Sequence, residues 1–184
     1  MSRIDPVDYS GAQGRPRQLL DAVHGLLGAT PNMTTTMARS AVLDGWLGLS
    51  GALRKGSISA ANGERIALGV AEANECAYCL SVHSYVGANV TKLDPEELEQ
   101  ARRFQSSDPK AAAILAFAEA VVRTKGGVSD SDIQAAREAG LTDAELSDVV
   151  GHVALNVLTN YFNRAFDVDV DFPLVEPHQH VTVG

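Results

Sequence analysis

Four residues in this chain have types and spacing suited to chemistry: Glu64, Cys76, Cys79 and His83. The chain holds only two cysteines, and they stand three apart as Cys-Ala-Tyr-Cys. If Cys76 opens a helix, then Cys76, Cys79 and His83 fall at i, i+3 and i+7 and share one face. The two sulfurs are then close enough to bridge, and the His83 imidazole lies within reach of the Cys79 sulfur. Three effects favour a thiolate there: the free N–H groups and positive dipole end of a helix first turn, an imidazole that can accept the thiol proton, and a second sulfur to share the remaining proton. Burial acts against them by desolvating the charge. Glu64 lies on the preceding helical stretch, in a row with Leu68 and Ala71 at the edge of an apolar stripe. Paired with His83, it would fix the imidazole tautomer and complete a Glu–His–Cys proton relay. The plainer alternative is an exposed first-turn Glu favoured by the helix dipole.

Several chemistries use two cysteines and a histidine. Covalent haem attachment needs His directly after the second Cys, and Leu80 is there. Structural zinc needs four ligands, and Cys76, Cys79 and His83 make three, with His152 or Glu64 as a fourth. A thioredoxin-like site expects a strand before the motif, whereas the residues before Cys76 read as helix. Two inert core cysteines are a further alternative. The helical context argues against the thioredoxin fold and not against dithiol chemistry, and a structural disulfide is not expected in a cytosolic chain.

The elements that must position these residues are helical nearly throughout, from Pro16 to about Arg164. Leu19, Leu20, Val23, Leu26 and Leu27 recur at helical spacing and end at Gly28. A second helix is expected over about 34–53, and a third, capped by Ser57 or Ser59, carries Glu64, Ile66, Ala67, Val70 and Ala71. The cysteine helix follows over about 77–90, with Cys76, Cys79, His83, Val86 and Val90 facing the core and Ser81, Ser84, Tyr85 and Asn89 facing away. Asp94-Pro95, Asp108-Pro109, Ser129 and Thr142-Asp143-Ala144-Glu145 mark four further helix starts. The last helix has no Asp, Glu, Lys or Arg between Asp148 and Arg164. Such a segment belongs at the centre of a bundle or a subunit interface. Its polar row, His152, Asn156, Thr159 and Asn163, reads either as a satisfied buried hydrogen-bond row or as a wall of the reaction site or an oligomer interface.

Residues 1–15 read as an irregular arm, 16–164 as one helical domain, and 165–184 as a tail, extended over the domain or a neighbour, or flexible. The length of 184 residues suits a single domain with a real core. Lys plus Arg is 15 against 23 for Asp plus Glu, a net charge of −8 that disfavours nucleic acid and anionic membrane surfaces as partners. No leader-like N-terminus and no membrane-spanning apolar run is visible, so the expected location is the cytoplasm, where paired cysteines serve redox or metal chemistry.

The pattern Glu64, eleven residues, then Cys76-x-x-Cys79-x-x-x-His83 resembles that of the AhpD-like, peroxidase-related branch of the carboxymuconolactone decarboxylase family. The helical layout, the segment from His152 to Asn163 and the tail from Asp167 to Pro173 extend the resemblance. It implies an all-α AhpD-like bundle of about six to eight helices. It also implies a thiol-dependent alkyl hydroperoxidase or disulfide oxidoreductase, in which Cys79 attacks the peroxide and Cys76 resolves. His83 is then the base and Glu64 the outer member of the relay. The implied partners are a hydroperoxide substrate, an external dithiol reductant and further copies of the chain, as dimer, trimer or hexamer; no metal or organic cofactor is required. Tyr78 stands where the better-known peroxidase of the family has His, and a phenol is a poor base near neutral pH. The decarboxylase branch lacks the cysteine pair, which argues against lactone decarboxylation. The alternatives are a non-enzymatic redox-sensing oligomer and a structural zinc site at the CxxC–His cluster.

Overall fold

A computed structural model describes residues 2–178, and within them the regular structure is entirely α-helical. The helices are α1 Gly14–Leu27, α2 Asn32–Met37, α3 Val42–Leu53, α4 Ala60–Ala73, α5 Ala77–Asn89, α6 Pro95–Ala101, α7 Pro109–Thr124, α8 Asp130–Glu138 and α9 Asp143–Phe166. Local chemistry sets most boundaries. Ser59, Asp94, Asp108, Ser129 and Thr142 each accept a backbone N–H of the first turn, a cap worth about 1 kcal/mol apiece. Ser129 with Asp132, and Thr142 with Glu145, close reciprocal capping boxes. Gly28 ends α1 in the left-handed region at φ 71°, which its missing Cβ permits.

The single helix expected over 34–53 is two helices. Ser40 makes the break: its N–H and Oγ both turn back to the Met37 carbonyl, and its Oγ then receives the Val42 N–H. A serine side chain that satisfies the backbone locally competes with helix continuation.

Helix α4 is the centre of the bundle, in contact with α5, α6, α7 and α9. One apolar cluster joins Leu20, Met37 and Leu43 to Leu68, Cys76, Cys79 and Leu80. A second joins Ile66 and Val70 to Ile114, Leu115, Val121 and Val149. Gly69 allows a close approach: a Cβ there would stand 2.6 Å from the Phe104 ring and 3.0 Å from the Ala101 carbonyl.

Two buried acids pin α4 from its polar side. Glu97 takes the Arg65 guanidinium at 2.9 Å and hydrogen bonds from Ser106 and Ser107. Glu72 takes Arg102 at 2.7 Å and the His178 N–H at 2.7 Å.

The N-terminal arm and the tail lie on the domain. The Val7 N–H reaches the Thr35 carbonyl and Arg39 Nε the Asp5 carbonyl. The Arg3 N–H reaches Phe166, and Ser2 binds Asp169. The tail leaves α9 through Asp167 at φ 50°, buries Val168, and runs back across α5 and α4. Asn32 holds it at Asp169 and Asp171, Ser81 Oγ accepts the Val175 N–H at 2.9 Å, and Arg102 donates to the Glu176 carbonyl. As far as His178 the tail lies over this chain's own domain; residues 179–184 lie outside the described residues. Because the tail covers one side of α5, Ser81 is buried rather than solvent-facing. At its far end α5 runs clear of its neighbours, and Val90 is 67% exposed instead of facing the core.

Candidate active site

Helices α4 and α5 meet at a three-residue turn, and that turn sets the two cysteines. Glu75 adopts φ 52°, reversing the chain, and the Cys76 N–H returns to the Ala71 carbonyl at 2.9 Å. Cys76 then serves as the N-cap of α5, its sulfur accepting the Cys79 N–H at 3.3 Å. Cys79 follows on the first turn. Their Cα atoms are 5.3 Å apart, well inside bridging range, and the two sulfurs form a disulfide. Each cysteine is 1% exposed. The bridged pair therefore sits at the positive end of the α5 dipole and out of bulk water.

One turn on, His83 Nδ1 meets Glu64 Oε2 at 2.8 Å. Both side chains are about four-fifths covered. Glu64 is in place because α4 and α5 are antiparallel partners across the Glu75 turn, and because the next residue, Arg65, is anchored on Glu97. The pair read from the sequence is thus a contact in the structure, and Glu64 is not a free first-turn acid.

Helix α9 forms the opposite wall. Asn163 Nδ2 donates to Cys79 Sγ at 3.3 Å. Three residues earlier Asn160 accepts from Asn74 Nδ2 at 3.0 Å, and Arg164 donates to the Asn74 carbonyl at 2.6 Å, so the end of α9 is tied to the cysteine turn. The polar row of α9 divides accordingly. Asn156 and Thr159 satisfy themselves on carbonyls of their own helix, His152 and Asn156 respectively. Asn163 reaches the sulfur. Its proximity to Cys79 was not predicted; the only pointer was its place in a polar row on an uncharged helix.

The remaining sequence candidates stand apart from the sulfurs. Tyr78 is 3% exposed; its Oη accepts the Met33 N–H at 3.1 Å and its ring meets the edge of Phe172. Burial, with Asp171 nearby, pushes its phenol well above the usual tyrosine range. His152 lies against Gly63, and its buried Nε2 has no hydrogen-bond partner. Burial pulls its pKa down, against the opposing pull of Asp148 and Glu64, and so favours the neutral ring. Among the described residues no three His, Cys, Asp or Glu side chains are grouped as a metal site.

Comparison with known proteins places this arrangement. Residues 40–123, which include Glu64, both cysteines and His83, match the carboxymuconolactone decarboxylase family. A peroxidase-related protein of the AhpD core type from Ralstonia eutropha JMP134, uncharacterised, shares the fold with a TM-score of 0.82 at 24% identity, over 92% of each chain. An uncharacterised peroxidase-related protein from Silicibacter sp. TM1040 superimposes with a TM-score of 0.74 at 22% identity, over 89% of this chain and 90% of that one. The debrominase Bmp8 is similar at a TM-score of 0.74 and 19% identity, over 90% of each chain. No curated protein matches the chain. The fold is all-helical and AhpD-like. The resemblance to the carboxymuconolactone decarboxylase family is borne out, with the CxxC pair of its AhpD-like branch present as a disulfide. No described helix is long and apolar enough to cross a membrane.

Proposed function

We propose that this protein is a thiol-dependent hydroperoxidase, or a disulfide oxidoreductase closely allied to one, that cycles Cys76 and Cys79 between dithiol and disulfide. The observation that carries the reading is a bridged cysteine pair at a helix N-terminus, one turn from a largely covered Glu64–His83 pair. The family match and the peroxidase-related neighbours agree with it.

His83 takes the Cys79 thiol proton, with Glu64 holding its Nδ1 side. The Cys79 thiolate attacks the terminal oxygen of a hydroperoxide; the O–O bond breaks, the sulfur becomes a sulfenic acid, and the alkoxide takes the proton from His83 to leave as the alcohol. The Cys76 thiol displaces hydroxide from that sulfur; with the thiol proton it departs as water, and the disulfide forms. An external dithiol then reduces the bridge and is itself oxidised to a disulfide. Exclusion from water strengthens each electrostatic contact and shields the sulfenic acid.

The test is peroxide consumption by the wild type and Cys79→Ser with a dithiol donor, alongside intact mass after peroxide treatment. The expected results are turnover lost in the variant, and loss of two hydrogens from the reduced wild type as the bridge closes. Both thiols remaining alkylatable after peroxide would sink the proposal. Stoichiometric bridging without turnover, across several dithiol donors, would replace it with a redox-sensing role.

A further inference from the structure

We propose that Asn163 is a catalytic residue of the dithiol centre, its side-chain N–H holding the negative charge that Cys79 carries whenever it is a thiolate. This inference rests on the proposed redox role of the cysteine pair, and deepens it. The side chain of Asn163 is 3% exposed and makes one hydrogen bond, from Nδ2 to Cys79 Sγ. Its Oδ1 is buried without a partner. A buried amide left half-satisfied is costly, and such a group in a native fold calls for a functional account. Here the retained half faces a reacting atom. Divalent sulfur in a disulfide accepts a hydrogen bond weakly, whereas a thiolate accepts a charge-assisted one of roughly twice the ordinary strength. The contact is therefore weak in the oxidised protein and strong in the reduced one. Asn160 on Asn74 and Arg164 on the turn carbonyl fix the backbone that presents it.

The amide acts twice in the cycle. When the Cys79 thiolate attacks a hydroperoxide, it sets which sulfur carries charge. In the reductive half, a thiolate of the external dithiol attacks Cys76 Sγ, the S–S bond breaks, and its electron pair leaves on Cys79 Sγ. Asn163 stabilises that leaving group. The donor's second thiolate then attacks the donor sulfur of the mixed disulfide, and Cys76 departs as a thiolate and takes up a proton.

The experiment is the pH dependence of Cys79 alkylation by iodoacetamide in the reduced protein, resolved from Cys76 by peptide mass. It is run on wild type, Asn163→Ala, Asn163→Asp and, as a control on the same helix, Asn156→Ala. Loss of the N–H donor is expected to raise the Cys79 inflection by about one pH unit in Asn163→Ala. Asn163→Asp keeps the shape, replaces the donor with a negative charge, and is expected to raise it further. Asn156→Ala is expected to leave it where it is. The isosteric Asp variant carries the test if the Ala variant does not fold. Inflections that coincide with wild type in the folded Asn163 variants, with only the melting temperature lowered, would reduce Asn163 to a packing residue and overturn the inference. A shifted inflection in a protein that consumes no peroxide would sustain the inference while removing the peroxidase reading.

Discussion

At the scale of single residues, the site joins two hydrogen-bonded pairs in different surroundings. The disulfide and its Asn163 contact lie in the dry first turn of α5. Glu64 and His83 lie one turn later, where each retains about a fifth of its exposure. This placement suits a relay whose inner end handles sulfur and whose outer end exchanges protons with water. Under the proposed cycle, Glu64 acts through His83: it orients the ring and favours the imidazolium that forms when the thiol proton is taken. Glu64→Gln retains a hydrogen bond to Nδ1 and removes the charge. It is expected to lower kcat for peroxide by roughly 100-fold at neutral pH, the usual range for losing general acid–base assistance. The far-ultraviolet circular dichroism should not change. Steady-state peroxide consumption with excess dithiol measures it, and an unchanged kcat would make the pair a tie between α4 and α5 only. This pairing was legible in the sequence because Glu64 and His83 lie on consecutive helices across one short turn. Asn163 was not legible as a sulfur contact, because 84 residues separate it from Cys79 and only the packing of α9 brings them together.

At the scale of elements, helix starts were readable and helix breaks less so. Asp-Pro, Ser and Thr caps announce themselves through one side chain and its own first turn, as at Asp94, Asp108, Ser129 and Thr142. The interruption at Ser40 depends on a serine choosing a local carbonyl over helical geometry, in a stretch whose apolar spacing continues on both sides. Helix α9 raises a different matter. Its inner face is committed to α4, α5 and α7, yet its outer face keeps Val150 at 45%, Leu158 at 39% and Tyr161 at 59% exposure, with no charge among them. Helix α3 packs beside it, Leu53 against Gly151, and adds the exposed Leu49. We propose that this face joins copies of the chain, since an uncharged helix surface flanked by a second apolar helix suits a self-complementary interface rather than water. Leu158→Glu places a charge in that face without touching the sulfurs. The expected outcome is a shift to monomer in light scattering at micromolar concentration, with the disulfide still forming on oxidation. A wild type already monomeric at that concentration would refute the interface.

At the scale of the whole molecule, the fold class was readable from helical spacing, whereas the seating of the tail was not. Val168-Asp169-Val170-Asp171-Phe172 shows alternation, but its partners are Ser2, Asn32 and Tyr78, scattered along the chain. The buried acids that hold α4 were equally hidden, since Glu72 and Glu97 look like ordinary surface glutamates until Arg102 and Arg65 arrive from other elements. Glu97 also makes the stability of the molecule depend on pH. Burial alone would raise the Glu97 carboxyl, but the Ser107 and Ser106 hydroxyls, the Ser107 N–H and the Arg65 guanidinium outweigh it and hold the pKa down at about 2, against an ordinary 4.5. A carboxyl whose folded pKa is depressed contributes stability in full above its unfolded value. The contribution declines as the pH falls below 4.5 and is gone once the pH has passed through the folded value of about 2. The gap corresponds to on the order of 3 kcal/mol. Urea denaturation of the reduced protein should therefore show a midpoint that falls steeply below about pH 5. Glu97→Gln should lower the midpoint at pH 7 and flatten the acid limb, because the variant no longer has this carboxylate to protonate. An acid limb of unchanged steepness in Glu97→Gln would assign the loss to other carboxylates. Since Glu97 anchors Arg65 beside Glu64, its protonation removes one tie on the helix that carries Glu64.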